Sequence, residues 1–284
     1  MILEILTNCG NRGGSGTGVS HYMSGASCPR KCRLDKEVEK SDFGSEKTIR
    51  RDAGIIFHKL AELYHGQTGA EELKAVIEYD DAPSLNPALS EAQRMFIAYK
   101  KCRDRKHWGK VLGVEVPIPG EEATEETKAR LKEVMGVEPF TALIDMVVEV
   151  QEENVAAICR RTGLDLTPGV YLFDHKTKGR MDSNMHIVHG QSLQAAAYQM
   201  GYEAMTGVKP NGMIFSIVVA HKVMAAKSFA SFVADYPPEH VQEGVRGFLN
   251  GAKALAGSDF PNWSACFNRF GICQHLTSGA CDRR

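Results

Sequence analysis

Two runs decide the fold: Phe140-Thr-Ala-Leu-Ile-Asp145-Met-Val-Val-Glu-Val150 and Gly169-Val-Tyr-Leu-Phe-Asp174-His-Lys176-Thr-Lys178. Each is rich in β-branched and aromatic residues and reads as a strand. Each also carries one aspartate where a solvated residue would normally take over. Side chains alternate along a strand, so Asp174 and Lys176 share one face and His175 takes the other. Two aspartates at neighbouring strand ends suit Mg²⁺ or Mn²⁺, which prefer oxygen ligands and keep several waters. The backbone carbonyl of His175 would add a third oxygen. A lysine beside such a cation can orient water and offset charge on a phosphorus under attack. Asp-x-Lys alone is an ordinary solvated strand end, so the surroundings must carry the case.

Towards the N-terminus, Ser45 to Gly66 is expected to be a helix with a glycine stop. It places His58 and Glu62 on one face, with Ile55, Leu60 and Leu63 for packing. A second helix is expected from Ser90, as N-cap, to about Arg105. Its basic end, Lys100 to His107, either faces a phosphate backbone or compensates the helix dipole. Val111 to Ile118 alternates as a strand, and residues 119–136 form an acidic, helix-prone insertion. The link from Asp145 to Asp174 exceeds a short hairpin, and Val155 to Cys159 is expected to add a strand there. A helix from His186 to Thr206, closed by Gly207, sets Gln194 and Tyr198 on one face. Strands over 211–220 and 228–234 and a helix over 237–256 follow. The fold class is α/β, a central mixed sheet flanked by helices. No repeat or linker divides residues 1–284, which are expected to form a single domain.

The 284 residues are 43% hydrophobic and 24% charged, with a formal net charge of −1. That composition supports a sizeable core and excludes a globally basic nucleic-acid binder, though not a locally basic groove. No apolar run approaches the roughly 20 residues that span a bilayer, and no signal peptide is evident. The expectation is therefore a soluble, cytoplasmic protein without a membrane partner. Residues 1–20 read as a flexible, Gly-rich segment without the Gly-Lys-Ser/Thr of a phosphate loop. Arg30, Lys31, Arg33, Lys178 and Arg180 are candidate phosphate contacts beside their ordinary role as solvated charges. Tyr198, Trp108 and Phe173 are either base-stacking rings or core. Of eight cysteines, Cys266, Cys273 and Cys281 crowd the end of the chain, which points to a metal centre in a reducing compartment.

Gly54-x-x-x-His58, Asp145 closing an apolar strand, Asp174-His175-Lys176-Thr177 and Gln194-x-x-x-Tyr198 occur in the order found in one family. The set resembles the PD-(D/E)xK nuclease superfamily, in its RecB-like, Cas4-like branch, which includes phage-type exonucleases. The resemblance runs from about Ser27 to the C-terminus and implies a restriction-endonuclease-like core. It also implies that His58, Asp145, Asp174 and the His175 carbonyl hold Mg²⁺ or Mn²⁺. Lys176 would be catalytic, with Gln194 and Tyr198 bracing the site or touching DNA, and Thr177 among the DNA contacts. Some members hold a [4Fe–4S] cluster with one N-terminal and three C-terminal cysteines. Here these would be Cys28, or Cys32 in its place, with Cys266, Cys273 and Cys281, so that residues 260–284 pack against the Cys28 region. Thiolates also suit zinc, which stays open as the alternative. Cys9, Cys102 and Cys159 are then unligated thiols. The implied activity is hydrolysis of DNA, as an exonuclease on single strands or ends. The implied partners are DNA and proteins of a recombination, repair or adaptive-immunity complex, with the pathway left open. The rival reading is a non-catalytic nucleic-acid-binding or assembly module with a zinc staple.

Overall fold

The computed structural model describes residues 30, 46–67, 70–77, 87–103, 107–138, 140–221, 224–256, 267–268 and 271–272. Helix α1 (Glu46–Gly66) buries Ala53, Ile56, Phe57 and Leu60 along one stripe. That spacing is what an amphipathic helix needs, and helix α3 (Pro87–Cys102) meets it with Leu89, Ala92, Phe96 and Tyr99. The short α2 (Ala70–Ile77) lies between them in the chain.

Five strands follow: β1 (Lys110–Ile118), β2 (Ala142–Val150), β3 (Gly169–Lys178), β4 (Gly212–Val219) and β5 (Phe229–Asp235). They form one sheet in chain order, antiparallel throughout except for the parallel pair β3 and β4. A parallel pair needs a crossover, here supplied by α6 (Met185–Gly190) and α7 (Leu193–Thr206). Every residue of β4 is buried, as expected for a strand covered on both faces. Leu172, Met213, Phe215 and Ile217 pack on the face covered by α7, α4 (Glu125–Met135) and α8 (Glu239–Ala256). Tyr171, Phe173 and Ile214 pack on the opposite face, with Trp108 and Ile158. A mixed α/β sheet flanked by helices is thus what the chain forms.

Three expectations are corrected. Ser90 does not cap α3, which begins at Pro87 and ends at Cys102. Proline suits a first helical position, because its missing N–H is not needed there. Residues 155–159 are not a strand but part of helix α5 (Val155–Thr162), behind a 3₁₀ turn at Glu152–Asn154. Gly163, at φ 70°, closes α5 by donating its N–H to the Cys159 carbonyl, a conformation glycine adopts at little cost. The expected helix over 186–206 is two helices, because the Ser192 Oγ accepts from the Ala195 N–H at 3.1 Å and starts α7 afresh. The last pieces, β6 (Phe267–Asn268) and β7 (Gly271–Ile272), pair with each other. No helix among the described residues is long and apolar enough to cross a membrane.

Candidate active site

The centre of the site is a fork between β2 and β3. Their antiparallel ladder runs from Val150 opposite Gly169 to Met146 opposite Phe173 and ends there. The next positions in that register are Asp145 and Asp174. Beyond the ladder the Asp145 side chain enters the gap, and its Oδ2 accepts from the His175 N–H at 2.6 Å. A carboxylate thus replaces a carbonyl of the neighbouring strand, holding the two strands apart with both aspartates at the opening. The connection through α5 does not separate β2 from β3, so its length is no obstacle to their pairing.

Helix α1 brings the histidine. A Cβ on Gly54 would lie 2.5 Å from Thr177 Oγ1, so only glycine lets the helix approach β3 this closely. One turn later His58 Nδ1 lies 3.3 Å from Asp145 Oδ2. On the other side of β3, Lys176 Nζ lies 2.6 Å from Asp174 Oδ2. Lys176 also donates to Gln194 Oε1 at 3.2 Å, and Gln194 Nε2 donates to the Tyr198 hydroxyl at 3.1 Å. The one-turn spacing on α7 makes this chain, since i and i+4 share a helix face.

Burial alone would raise the Asp145 carboxyl, but His58 and the His175 N–H hold it far below the usual carboxylate range. Burial pushes Asp174 up to about 6; Lys176 pulls against that shift and the charge of Asp145 adds to it. Burial also opposes charge on His58 and Lys176, yet their aspartate partners raise both. A buried and a half-buried carboxylate whose joint ionisation is this costly fit a cation, which would relieve the cost. Among the described residues, no group of three His, Cys, Asp or Glu side chains forms a ready-made cage. The donor set of two carboxylates, one imidazole and a backbone carbonyl suits Mg²⁺ or Mn²⁺, which need few protein ligands.

Comparison with known proteins identifies the family. The family model described as the PD-(D/E)XK nuclease superfamily matches residues 18–275, most of the chain. The chain belongs to the PD-(D/E)XK nuclease superfamily. No curated protein matches it. Membership carries metal-dependent nuclease activity, with a divalent cation such as Mg²⁺ or Mn²⁺ and a nucleic-acid substrate.

Around the candidate centre, the structure gathers His58, Asp145, Asp174, His175, Lys176, Gln194 and Tyr198. Thr177 is half-buried, with its Oγ1 beneath Gly54. Lys178 is half-buried and Arg180 exposed where β3 leaves the sheet. Trp108 and Phe173 are fully buried, so neither is free to stack on a base. Arg103, in the basic end of α3, lies 5.6 Å from the Trp108 ring and 5.9 Å from that of Phe229, a packing role. Arg30 is helical and half-buried. Lys31, Arg33, Cys9, Cys28, Cys32, Cys266, Cys273 and Cys281 lie outside the described residues. Cys102 and Cys159 are free thiols.

One part of the nuclease went unforeseen. Behind Asp174, the His175 ring is buried against Phe57, Tyr99 and Phe173, and it stacks on His65 with centroids 6.2 Å apart. His65 Nε2 and the Tyr99 hydroxyl are 2.9 Å apart, and the Trp108 indole N–H donates to that hydroxyl at 3.4 Å. Burial lowers the His175 imidazole to about 3, so it is neutral packing. His65 lies seven residues after His58, hence on nearly the same helix face, and that spacing was the available signal.

Proposed function

We propose that the protein is a deoxyribonuclease acting as an exonuclease on single-stranded DNA or DNA ends. His58, Asp145, Asp174 and the His175 carbonyl would hold its Mg²⁺ or Mn²⁺. The observation that supports this reading is the fork: Asp145 and Asp174 meet where β2 and β3 part, with Lys176 against Asp174. A divalent cation held there would neutralise phosphoryl charge and lower the pKa of a bound water. Lys176 keeps its proton beside Asp174, so it can orient that water and offset charge on the phosphorane. Gln194, held by Tyr198, fixes the lysine. Lys178 and Arg180 lie on the path of the strand away from the acids and are suited to backbone phosphates, as are Arg30 and Lys31. The single domain would be closed by a [4Fe–4S] cluster on Cys28, Cys266, Cys273 and Cys281.

The test is cleavage of end-labelled single-stranded DNA, blocked at one end or the other, by protein purified without oxygen. Mononucleotides or short products from one open end are expected with Mg²⁺ or Mn²⁺. Asp174→Ala and Lys176→Ala should be folded and inactive. Internal cleavage whichever end is blocked would overturn the exonuclease reading, and no cleavage of any DNA would overturn the nuclease itself. The cluster predicts a brown protein with broad visible absorption, whereas a colourless protein with stoichiometric zinc would replace it.

A further inference from the structure

We infer that His189 is a substrate-binding residue, whose imidazole donates a hydrogen bond to a nucleic-acid phosphate next to the scissile one. The inference rests on the nuclease reading of the Asp145, Asp174 and Lys176 site.

A row of side chains leads from that site across the sheet. Asp174 pairs in register with Phe215 of β4, and Phe215 with Phe232 of β5. Register partners point to the same face, so these two rings continue the row beyond the acid. They stack on each other with centroids 5.3 Å apart and planes 23° apart. His189, on α6, lies on this shelf, 5.5 Å from Phe215 and 6.4 Å from Phe232. Phe215 thus stands one strand spacing, ~4.8 Å, to the side of Asp174 and Phe232 a second spacing on, with His189 lying against both rings.

Lys176 and Lys178 rise from the same face of β3, two residues apart. Burial, then the charge of Lys178 and that of Lys176, brings the His189 pKa down to about 4. At neutral pH the ring is uncharged, with one N–H to donate. Neither ring nitrogen has a hydrogen-bond partner among the described residues, and the ring is half-exposed. A polar ring on an apolar shelf loses hydration unless something takes its hydrogen bond, and a phenylalanine would pack there without that loss. Both charges that act on it are positive, so the fitting partner is an anion. Beside a phosphodiesterase centre that anion is a backbone phosphate. A neutral donor holds it without setting a third cation against Lys176 and Lys178.

The test compares wild type with His189→Phe, which keeps a flat ring on the shelf but no donor, and His189→Gln, which keeps an N–H. Binding of a fluorescein-labelled oligothymidylate is followed by anisotropy in Ca²⁺, alongside cleavage kinetics in Mn²⁺ and thermal melting. His189→Phe should bind about tenfold more weakly, as expected for a lost hydrogen bond to a charged group. It should raise KM with little change in kcat, at wild-type Tm, and His189→Gln should recover most of the binding. The slope of log Kd against log salt should stay that of wild type, since a neutral group releases no counterion. Wild-type binding by His189→Phe would overturn the inference. So would equal losses in both variants with a lowered Tm, which would mark a packing role, or a wild type that binds no oligonucleotide. A wild type that binds but does not cleave would overturn the nuclease reading, while the binding comparison still judges His189.

Discussion

Gly54 of α1 stands over Thr177 of β3 so closely that a Cβ would come within 2.5 Å of Thr177 Oγ1. This contact sets the distance from which His58 reaches Asp145, at 3.3 Å. A methyl group here must push the helix outward or turn Thr177 aside, and well-packed cores resist both. Gly54→Ala should destabilise the protein by about 1–3 kcal/mol, as overpacking does. It should also cut nuclease activity at limiting Mn²⁺ more than at saturating Mn²⁺. Thr177→Ala in the same chain should restore part of both losses, because it removes the atom that clashes. Strict additivity of the two substitutions in a double-mutant cycle would disprove the coupling.

Asp145 has two separable duties, one electrostatic and one structural. Its Oδ2 accepts the His175 N–H at 2.6 Å, while its charge would serve the proposed cation. Asp145→Asn can still accept that hydrogen bond through its amide oxygen, so it should fold almost normally and lose activity. Asp145→Ala leaves the partly buried N–H without its partner and should lose an additional 1–3 kcal/mol or so in urea denaturation. Equal stability of the two variants would show that the N–H is satisfied by another route.

The local parts of this site were legible because each obeys a short-range rule. Alternation put Asp174 and Lys176 on one face of β3, and helical spacing joined Gln194 to Tyr198. What could not be read locally was the fork, which depends on the register of β2 against β3 across a long connection. The connection itself was misread because Val155, Ile158 and Cys159 are compatible with either a strand or a helix. Over so few residues the two periods cannot be told apart, and only Ile158 turned out to be buried. Tyr99 and His65 meet across 34 residues, a pairing that no spacing rule reports.

Lys176, Gln194 and Tyr198 form a chain in which each link orients the one before it. Lys176→Gln should remove cleavage almost entirely, since general catalysis and charge stabilisation are each worth two or more orders of magnitude, roughly. Gln194→Ala should cost about tenfold in kcat, and Tyr198→Phe less, because the amide keeps its contact with Lys176. The combined Gln194→Ala and Tyr198→Phe protein should be no slower than Gln194→Ala alone. Multiplicative losses in single-turnover kinetics would mean that Tyr198 acts independently, for instance on the DNA.

His189 gives a prediction in pH. Its folded-state pKa of about 4 lies below the value near 6.5 of an exposed imidazole. Between those values the unfolded chain binds more protons than the folded one, so this group makes stability fall as pH is lowered through the window. Above about pH 6.5 it contributes no slope. The groups acting on it are Lys178 and Lys176 of β3, with the uncharged rings of Phe215 and Phe232 beneath. In proton NMR the His189 resonance, assigned by its absence from His189→Phe, should stay at its neutral position from pH 7 to about pH 5. Lys178→Gln removes the charge with the larger effect on His189 and should move the titration midpoint upward. Adding an oligonucleotide should move it further, because a phosphate favours the protonated ring. A midpoint near 6.5 in the free protein, unchanged by Lys178→Gln, would place the imidazole in open water, away from the lysines and the shelf.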